Sequence, residues 1–203
     1  RGGSDYSAAV MARVLDAGRL EVWKDVDGFQ SISPELSNRG HRLPGLSYDE
    51  AAELSYFGAK ILHPRTVEPL LEKSIPIVIR NTHDSEGIKT WIGPEKTVSD
   101  QPVKSITFDN NIAMLSVHGA DVGYTVGLLS DLVSALSCNN INIRSVMTSQ
   151  TCINILLNLD ELDNARDILS EIDTDAVESI DTRTGIGLVA LVGEGIADSD
   201  AWL

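Results

Sequence analysis

The stretch Arg1-Gly2-Gly3-Ser4-Asp5-Tyr6-Ser7-Ala8-Ala9 is the part of the sequence from which the fold can first be inferred. Two adjacent glycines let a backbone approach a bound anion closely, and Ser4 is a favourable N-cap for the apolar segment that follows. We predict a helix whose N-terminal amides point back at the glycines, a geometry that binds phosphate or carboxylate. An ordinary glycine turn before a helix explains the same residues. The side of this helix expected to be buried carries Ala8, Ala9, Val10, Met11, Val14 and Leu15.

Composition narrows the class of protein. A chain of 203 residues with 42% hydrophobic and 23% charged residues is long enough for one large or two small domains of an ordinary globular protein. The net charge of −14 argues against nucleic acid as a partner, and no apolar run has the length of a membrane span. Cys138 and Cys152 have neither metal-ligand spacing nor a framework of pairs. We therefore expect a cytoplasmic protein with buried thiols, no metal site of its own and no membrane partner.

The first ninety residues alternate strand and helix signals. Residues 20–26 read as a strand with Lys24 and Asp25 at its end, where open α/β sheets place their ligand groups. A salt bridge between these two side chains is the alternative interpretation. After a polar loop over residues 32–44, the capping box of Ser47 and Glu50 predicts a helix through Tyr56, with Gly58 as its stop.

A second helix at residues 65–73 and a buried strand at 75–79 follow. We interpret His63 as a structural imidazole that caps backbone groups, because no nucleophile lies nearby in sequence. Lys60 stands between apolar residues, which favours a partner for its ammonium group, and a nucleotide phosphate is one candidate.

Three segments together carry a family resemblance. The opening stretch, Trp23-Lys24-Asp25-Val26-Asp27-Gly28, and Ser55-Tyr56-Phe57-Gly58-Ala59-Lys60-Ile61-Leu62-His63-Pro64-Arg65-Thr66 resemble successive signatures of the aspartate kinases. That family belongs to the amino acid kinase superfamily and transfers the γ-phosphoryl group of ATP, bound with Mg²⁺, to the side chain of L-aspartate. The resemblance implies an α/β fold in which residues 1–92 form the C-terminal part of an amino acid kinase αβα sandwich.

The resemblance also implies roles for individual residues. Arg1 would grip a substrate carboxylate, with Ser4 hydrogen-bonding beside it, since a guanidinium offers two parallel donors. Asp5 would organise the catalytic lysine and the phosphoryl transfer, a reaction helped mainly by positioning and charge stabilisation. Lys24, Asp25 and the segment through Gln30 would line the adenine and ribose side of the nucleotide site, and Lys60 would lie near the nucleotide.

The sequence departs from the family pattern in the loop after the second segment. The family often has tyrosine, aspartate and arginine where Gln30, Ser33 and Glu35 stand here. A carboxylate in place of an arginine is unfavourable near ATP. The family's N-terminal lysine and Gly-Gly-Thr-Ser phosphate loop are not in this sequence, so we expect a piece of a longer protein that is inactive alone.

The second half of the chain has a different pattern. Residues 82–102 read as a connector, followed by strands at about 106–108 and 112–117, a helix at 125–137, strands at 141–147 and 152–157, and a helix at 161–171. This is a ferredoxin-like βαββαβ arrangement. The residues expected to be buried from its first helix are Leu128, Leu129, Leu132, Val133 and Leu136.

Its position after the kinase signatures makes this unit resemble an ACT domain, the amino-acid-sensing module of that family. The resemblance assigns residues 93–203 to a regulatory region, with a first ACT unit at about 103–182. A similarity of residues 112–119 to 186–193 indicates a second unit beginning near 186. In the family, paired ACT domains hold the effector between them, which implies a homo-oligomer.

The effector positions implied by the resemblance are Val122, Thr125, Gly127, Leu128, Asn142, Ile143, Arg144, Ser149 and Gln150. The helix N-terminus at Gly127 and Leu128 suits an α-carboxylate, although these positions also fit a role in packing the domain dimer. Lysine-responsive relatives tend to have aspartate where Arg144 stands, and an arginine would repel lysine. Three alternatives stay open: threonine as the effector, a relay role for this position without a bound ligand, or an effector site elsewhere. The alternative function is a non-catalytic amino-acid-binding and dimerisation module with a kinase remnant.

Overall fold

The computed structural model describes residues 3–84, 86–87, 89–94, 102–172 and 174–196. These residues form two compact units. The first comprises the described residues up to Phe108 together with those from Val189 onward, and the second runs from Asp109 to Leu188.

The first unit is built on a mixed four-stranded sheet. Its strands are β1 (Leu20–Lys24), β2 (Gly45–Ser47), β3 (Ile77–Asn81) and β4 (Thr90–Gly93), in the order β1-β3-β4-β2. β1 is parallel to β3 and β2 is parallel to β4, while β3 and β4 are antiparallel. The buried core of this unit joins side chains from helices and sheet, among them Ala9, Leu54, Leu70, Ile77, Ile79 and Ile92.

Helices supply the rest of that core. They are α1 (Gly3–Val14), α2 (Tyr48–Tyr56), a 3-10 turn (Pro64–Thr66) and the one-turn α3 (Glu68–Leu71). The predicted capping box is confirmed: the Glu50 amide donates to the Ser47 hydroxyl, and the Glu50 carboxylate accepts from the Ser47 amide. Gly58 follows α2 with a φ of +123°, a left-handed conformation that favours glycine.

Three expectations for this unit are wrong. Ser4 lies inside α1 instead of capping it, because the helix already begins at Gly3. The predicted helix at 65–73 is interrupted, since Pro69 stands at the start of α3 and cannot donate an amide to the preceding turn. The predicted connector contains β4, which fills the centre of the sheet between β3 and β2.

The buried face of α1 also differs from the expectation. Ala9 and Ala12, three residues apart, face the core, whereas Met11, Val14 and Leu15 are exposed. Small side chains face inward because α1 packs closely against α3.

The second unit contains most of a long antiparallel sheet. Its elements are β5 (Ser105–His118), α4 (Leu128–Cys138), β6 (Ile143–Thr148), β7 (Cys152–Asn158), α5 (Leu162–Ser170) and β8 (Ser179–Val192). The strand order β6-β7-β5-β8 with this element order is the ferredoxin-like βαββαβ topology that the sequence predicts. The boundary between the units falls inside β5 and inside β8.

The strands at 106–108 and 112–117 are one continuous β5, because residues 108–112 contain neither glycine nor proline to interrupt the strand. The repeated segments 112–119 and 186–193 lie largely in β5 and β8, which are neighbours in one sheet. In α4, Leu128, Leu132 and Leu136 are buried at a spacing of four, but Leu129 is exposed and Val133 is only partly buried, contrary to expectation. Among the residues described, no helix has the length and apolar character needed to cross a membrane.

Candidate functional site

An ion pair between Asp5 and Lys24 joins two of the sequence motifs. The Lys24 Nζ atom lies 3.0 and 3.2 Å from the two carboxylate oxygens of Asp5. The Asp5 and Lys24 side chains are 14% and 27% exposed, so the pair is shielded yet reachable by a ligand. Lys24 therefore pairs with Asp5 and not with its neighbour Asp25, which is exposed.

The backbone explains why these two charges meet. Asp5 lies in the first turn of α1, where the partial positive charge of the helix N-terminus stabilises a carboxylate. Lys24 is the last residue of β1, the end of the strand at which the sequence predicted a ligand group. Ser4 is exposed beside Asp5. Arg1, predicted to bind the substrate carboxylate, lies outside the described residues.

The third motif contacts the first. The Arg65 guanidinium lies over the Tyr6 ring, 5.6 Å from its centroid. The His63 Nδ1 atom accepts a hydrogen bond of 3.3 Å from the Arg65 amide, which begins the 3-10 turn. His63 is thus a backbone cap, as predicted, and all three motifs meet around the N-terminus of α1.

A cleft of about 310 Å³ opens beside this cluster. All four residues predicted to bind the nucleotide line it, namely Lys24, Asp25, Gln30 and Lys60. Two of the departures from the family pattern, Ser33 and Glu35, line it as well. The Glu35 Oε1 atom lies 3.9 Å from the Lys60 Nζ atom. The cleft is therefore large enough for part of a nucleotide and has cations at its edge.

The floor of the cleft depends on Gly28. Its φ is +94°, and a Cβ atom there would lie 2.5 Å from the Thr90 hydroxyl oxygen. That hydroxyl accepts from the Phe29 amide at 3.1 Å and donates to the Leu43 carbonyl at 2.8 Å. The backbone at Gly28 therefore lies close to strand β4, and this close approach shapes the cleft.

Asp27 fastens the same loop. Hydrogen bonds from Asn81, at 2.7 Å, and from Arg42 lower the pKa of its carboxyl below the ordinary value of 3.8. The charged form is therefore the one that holds the loop to β3.

Two residues of the cleft were missed from the sequence. Ser105 and Thr107, on the first residues of β5, form part of its wall. The sequence interpretation placed this segment in the regulatory region, so neither residue was a candidate. The available signal was the alternation in Ser105-Ile106-Thr107-Phe108, which places both hydroxyls on one face of a strand.

The second unit has its own cavity, of about 780 Å³. Five predicted effector residues line it: Val122, Thr125, Gly127, Ser149 and Gln150. Leu129 and Val133 complete its apolar wall, which explains why these α4 residues are not in the core. Leu128, also predicted to bind the effector, is buried and does not line the cavity. Within the part of the chain that is described, no group of three or more His, Cys, Asp and Glu side chains could hold a metal ion.

Three other predicted effector residues, Asn142, Ile143 and Arg144, do not line this cavity. The Arg144 guanidinium instead donates to the Asp109 carboxylate at 3.1 Å, and the two side chains are 13% and 12% exposed. The charge expected to repel lysine is therefore held by a carboxylate of β5.

Comparisons with known proteins agree with this geometry. Residues 1–81 match the model of the amino acid kinase family. The chain is 36% identical over 97% of its length to a bifunctional aspartokinase/homoserine dehydrogenase from Haemophilus influenzae, of which it covers 25%. The crystal structure of Clostridium acetobutylicum aspartate kinase has a TM-score of 0.85 and 26% identity, with 98% of this chain and 47% of that one covered.

The structure of E. coli aspartokinase III in complex with aspartate and ADP gives a TM-score of 0.84 and 27% identity, covering 99% of this chain and 46% of that one. The fold is thus the C-terminal part of an amino acid kinase sandwich followed by a ferredoxin-like ACT domain. Residues 1–81 thus match the amino acid kinase family, and nearly the whole chain is similar to aspartate kinases. It spans a quarter of the Haemophilus relative and just under half of the two solved structures.

Proposed function

We propose that this chain is part of an aspartate kinase, which transfers the γ-phosphoryl group of ATP to the side-chain carboxylate of L-aspartate and forms 4-phospho-L-aspartate. The observation that carries the proposal is the Asp5–Lys24 ion pair beside a cleft lined by Gln30 and Lys60. The E. coli relative with aspartate and ADP bound supports the same substrates.

The charges of the cleft fit this chemistry. Phosphoryl transfer depends on positioning and on neutralising the charge of the transferred group. Asp5 pairs with the Lys24 ammonium group, and Lys60 supplies a second cation; both lysines line the cleft. The Mg²⁺ that accompanies ATP would neutralise further phosphate charge. Ser4 and Arg1 are proposed to bind the aspartate substrate.

The proposal extends to pathway and regulation. The reaction is the first step of lysine, threonine and methionine biosynthesis, with residues 1–92 as kinase and 93–203 as regulatory region. We propose that lysine or threonine binds the cavity between Val122 and Gln150 and that ACT domains of two copies pair around it. Ser149 and Gln150 offer hydroxyl and amide groups for the effector, and the apolar wall of Leu129 suits burial by a second copy.

The contact between Glu35 and Lys60 favours a second candidate. Glu35 pairs with the lysine proposed to bind phosphate. A protein that no longer binds ATP could carry such a carboxylate without loss of function. In that case the protein is a non-catalytic amino-acid-binding and dimerisation module.

ADP release by the full-length protein distinguishes the aspartate kinase from the non-catalytic module. We expect release that requires both ATP and L-aspartate, and we expect Asp5→Asn to lower kcat by about a hundredfold, since Lys24 loses the carboxylate that orients it. Asp16→Asn is the matched control, because Asp16 pairs with Lys73 at the far end of α1. Amino-acid binding without aspartate-dependent ADP release would instead establish the module.

A further inference from the structure

Thr107 carries a buried hydroxyl whose presence packing does not explain. The residue is 3% exposed, and its Oγ1 atom has no hydrogen-bond partner among the residues that the structure describes. Buried hydroxyls in proteins are nearly always hydrogen-bonded, and an unbonded one destabilises the fold. Valine has almost the same shape without the hydroxyl, so a demand for packing alone would be met better by valine.

The position of Thr107 indicates what the hydroxyl serves. The residue lines the 310 Å³ cleft together with Lys24, Gln30 and Lys60. Ser105, two residues earlier and on the same face of β5, uses its hydroxyl to donate to the Gln30 carbonyl at 2.6 Å. The hydroxyl face of β5 is thus part of the cleft wall, and one of its two hydroxyls is free of protein partners within the described chain.

The strand is held rigidly at this point. The Ile106 amide donates to the Ser31 carbonyl at 2.9 Å, and the Ser33 amide donates to the Ile106 carbonyl at 2.9 Å. Both neighbours of Ile106 therefore have a fixed backbone, and the Thr107 hydroxyl can adjust only by rotating about its own side-chain bonds. Such preorganisation is characteristic of groups that orient a ligand.

The segment that is hydrogen-bonded to β5 indicates which part of a nucleotide the Thr107 hydroxyl would contact. Residues 31–33 directly follow Gln30, which the family resemblance places on the adenine and ribose side of the nucleotide site, whereas the exposed Lys60 ammonium group suits the phosphates. A hydroxyl donates and accepts, so it can bond either an edge of the base or a ribose hydroxyl.

We propose that Thr107 is a nucleotide-binding residue whose hydroxyl bonds the nucleoside part of the nucleotide in this cleft. The proposal rests on the proposed kinase function and adds a residue from the strand that continues into the regulatory unit.

The test compares Thr107→Val with Thr107→Ser in the full-length protein, using steady-state ADP release. We expect Thr107→Val to raise the KM for ATP about threefold to tenfold, the range for one lost hydrogen bond. Thr107→Ser keeps the hydroxyl and is expected to stay within about twofold of wild type. The KM for aspartate should not change in either variant, and thermal unfolding of the nucleotide-free Val variant should occur at or above the wild-type temperature.

Thr182→Val is the matched control, because Thr182 is an exposed strand residue of β8 outside the cleft. If Thr107→Val folds poorly, Thr107→Ala provides the same loss of hydroxyl without the branched side chain. Two ATP analogues identify the bonded group: 2′-deoxy-ATP and purine riboside triphosphate, which lacks the 6-amino group. If the KM for one analogue is the same in wild type and in Thr107→Val, the group that this analogue lacks is the partner of the Thr107 hydroxyl.

Wild-type turnover is measured first. Absence of ADP release by the wild-type protein counts against the kinase function. Normal wild-type turnover with an unchanged KM for ATP in both the Val and Ala variants overturns the role of Thr107 and leaves the kinase function standing.

Discussion

At the scale of single residues, Glu35 and Lys60 are charged side chains that line the cleft proposed to bind the nucleotide. The Glu35 and Lys60 side chains are 50% and 79% exposed, and their atoms are 3.9 Å apart. Exposed ion pairs contribute little, so Lys60 is readily released to a phosphate. The carboxylate of Glu35 would nevertheless stay close enough to repel the phosphates of the proposed nucleotide.

We therefore predict that Glu35→Gln lowers the KM for ATP by about twofold to fivefold, as expected for removing one exposed like charge. The kcat should be unchanged, because Glu35 pairs with Lys60, whereas Asp5 pairs with Lys24. Initial rates at low ionic strength measure the effect, and Glu72→Gln, which alters a surface pair with Arg13, is the control. An equal or higher KM in Glu35→Gln would show that the carboxylate does not oppose the phosphates.

Asp5 and Thr107 illustrate what can be inferred for one residue from sequence. Asp5 was identified through a motif, and Lys24 through its position at a strand end. Their ion pair was not predicted, because no local pattern shows which helix lies beside that strand end. Thr107 has no motif. Its significance depends on the pairing of Ile106 with residues 31 and 33, some seventy residues away, which no local pattern records.

At the scale of elements, the N-terminus of α2 holds two distant segments. The Glu50 carboxylate accepts from the Ser47 amide and from the Lys104 ammonium group at 2.7 Å, and also from the Glu194 amide at 3.1 Å. Glu50 and Lys104 side chains are 3% and 8% exposed. The capping box was readable because its residues are three apart, but its two further partners are 54 and 144 residues away.

Breaking this buried pair should destabilise the fold markedly. We predict that Lys104→Met lowers the free energy of unfolding by about 3 kcal/mol, because Glu50 is left as a buried charge without its cation. The double variant Glu50→Gln with Lys104→Met should be more stable than Lys104→Met alone, since it leaves no unpaired charge.

Urea unfolding measures both effects. Arg166→Met serves as the control, because Arg166 pairs with Asp163 and Asp167 on the exposed side of α5 and should change stability by less than about 1 kcal/mol. A similar small change in Lys104→Met would mean that the pair contributes nothing beyond the helix cap.

Over the whole molecule, local signals predicted most of the fold. The βαββαβ order is evident from hydrophobic periodicity and was confirmed with its strand order. The continuity of β5 was not predicted, although residues 108–112 contain neither glycine nor proline to interrupt the strand. The inward face of α1 was also missed, since large apolar residues such as Met11 are exposed there while Ala9 and Ala12 are buried.

The second unit yields a prediction about regulation. Because Arg144 pairs with Asp109 and does not line the cavity, Arg144→Ala should lower the free energy of unfolding by about 3 kcal/mol but should not change which amino acid inhibits the enzyme. Gln150→Ala, in the cavity wall, should weaken inhibition instead.

Inhibition curves with lysine and with threonine, on the full-length protein, distinguish these variants. A switch of preference from one amino acid to the other in Arg144→Ala would place Arg144 in the effector site after all.

If the Asp5–Lys24 pair and its cleft belong to an aspartate kinase, the enzyme must form an acyl phosphate on L-aspartate, and identifying that product is the decisive measurement. The full-length protein is incubated with ATP, Mg²⁺ and L-aspartate, and phosphorus NMR follows the fate of the γ-phosphoryl group. We expect an acyl phosphate signal that appears only with aspartate, increases together with ADP, and is lost in Asp5→Asn. Inorganic phosphate in place of acyl phosphate, or ADP formed equally without aspartate, would contradict it.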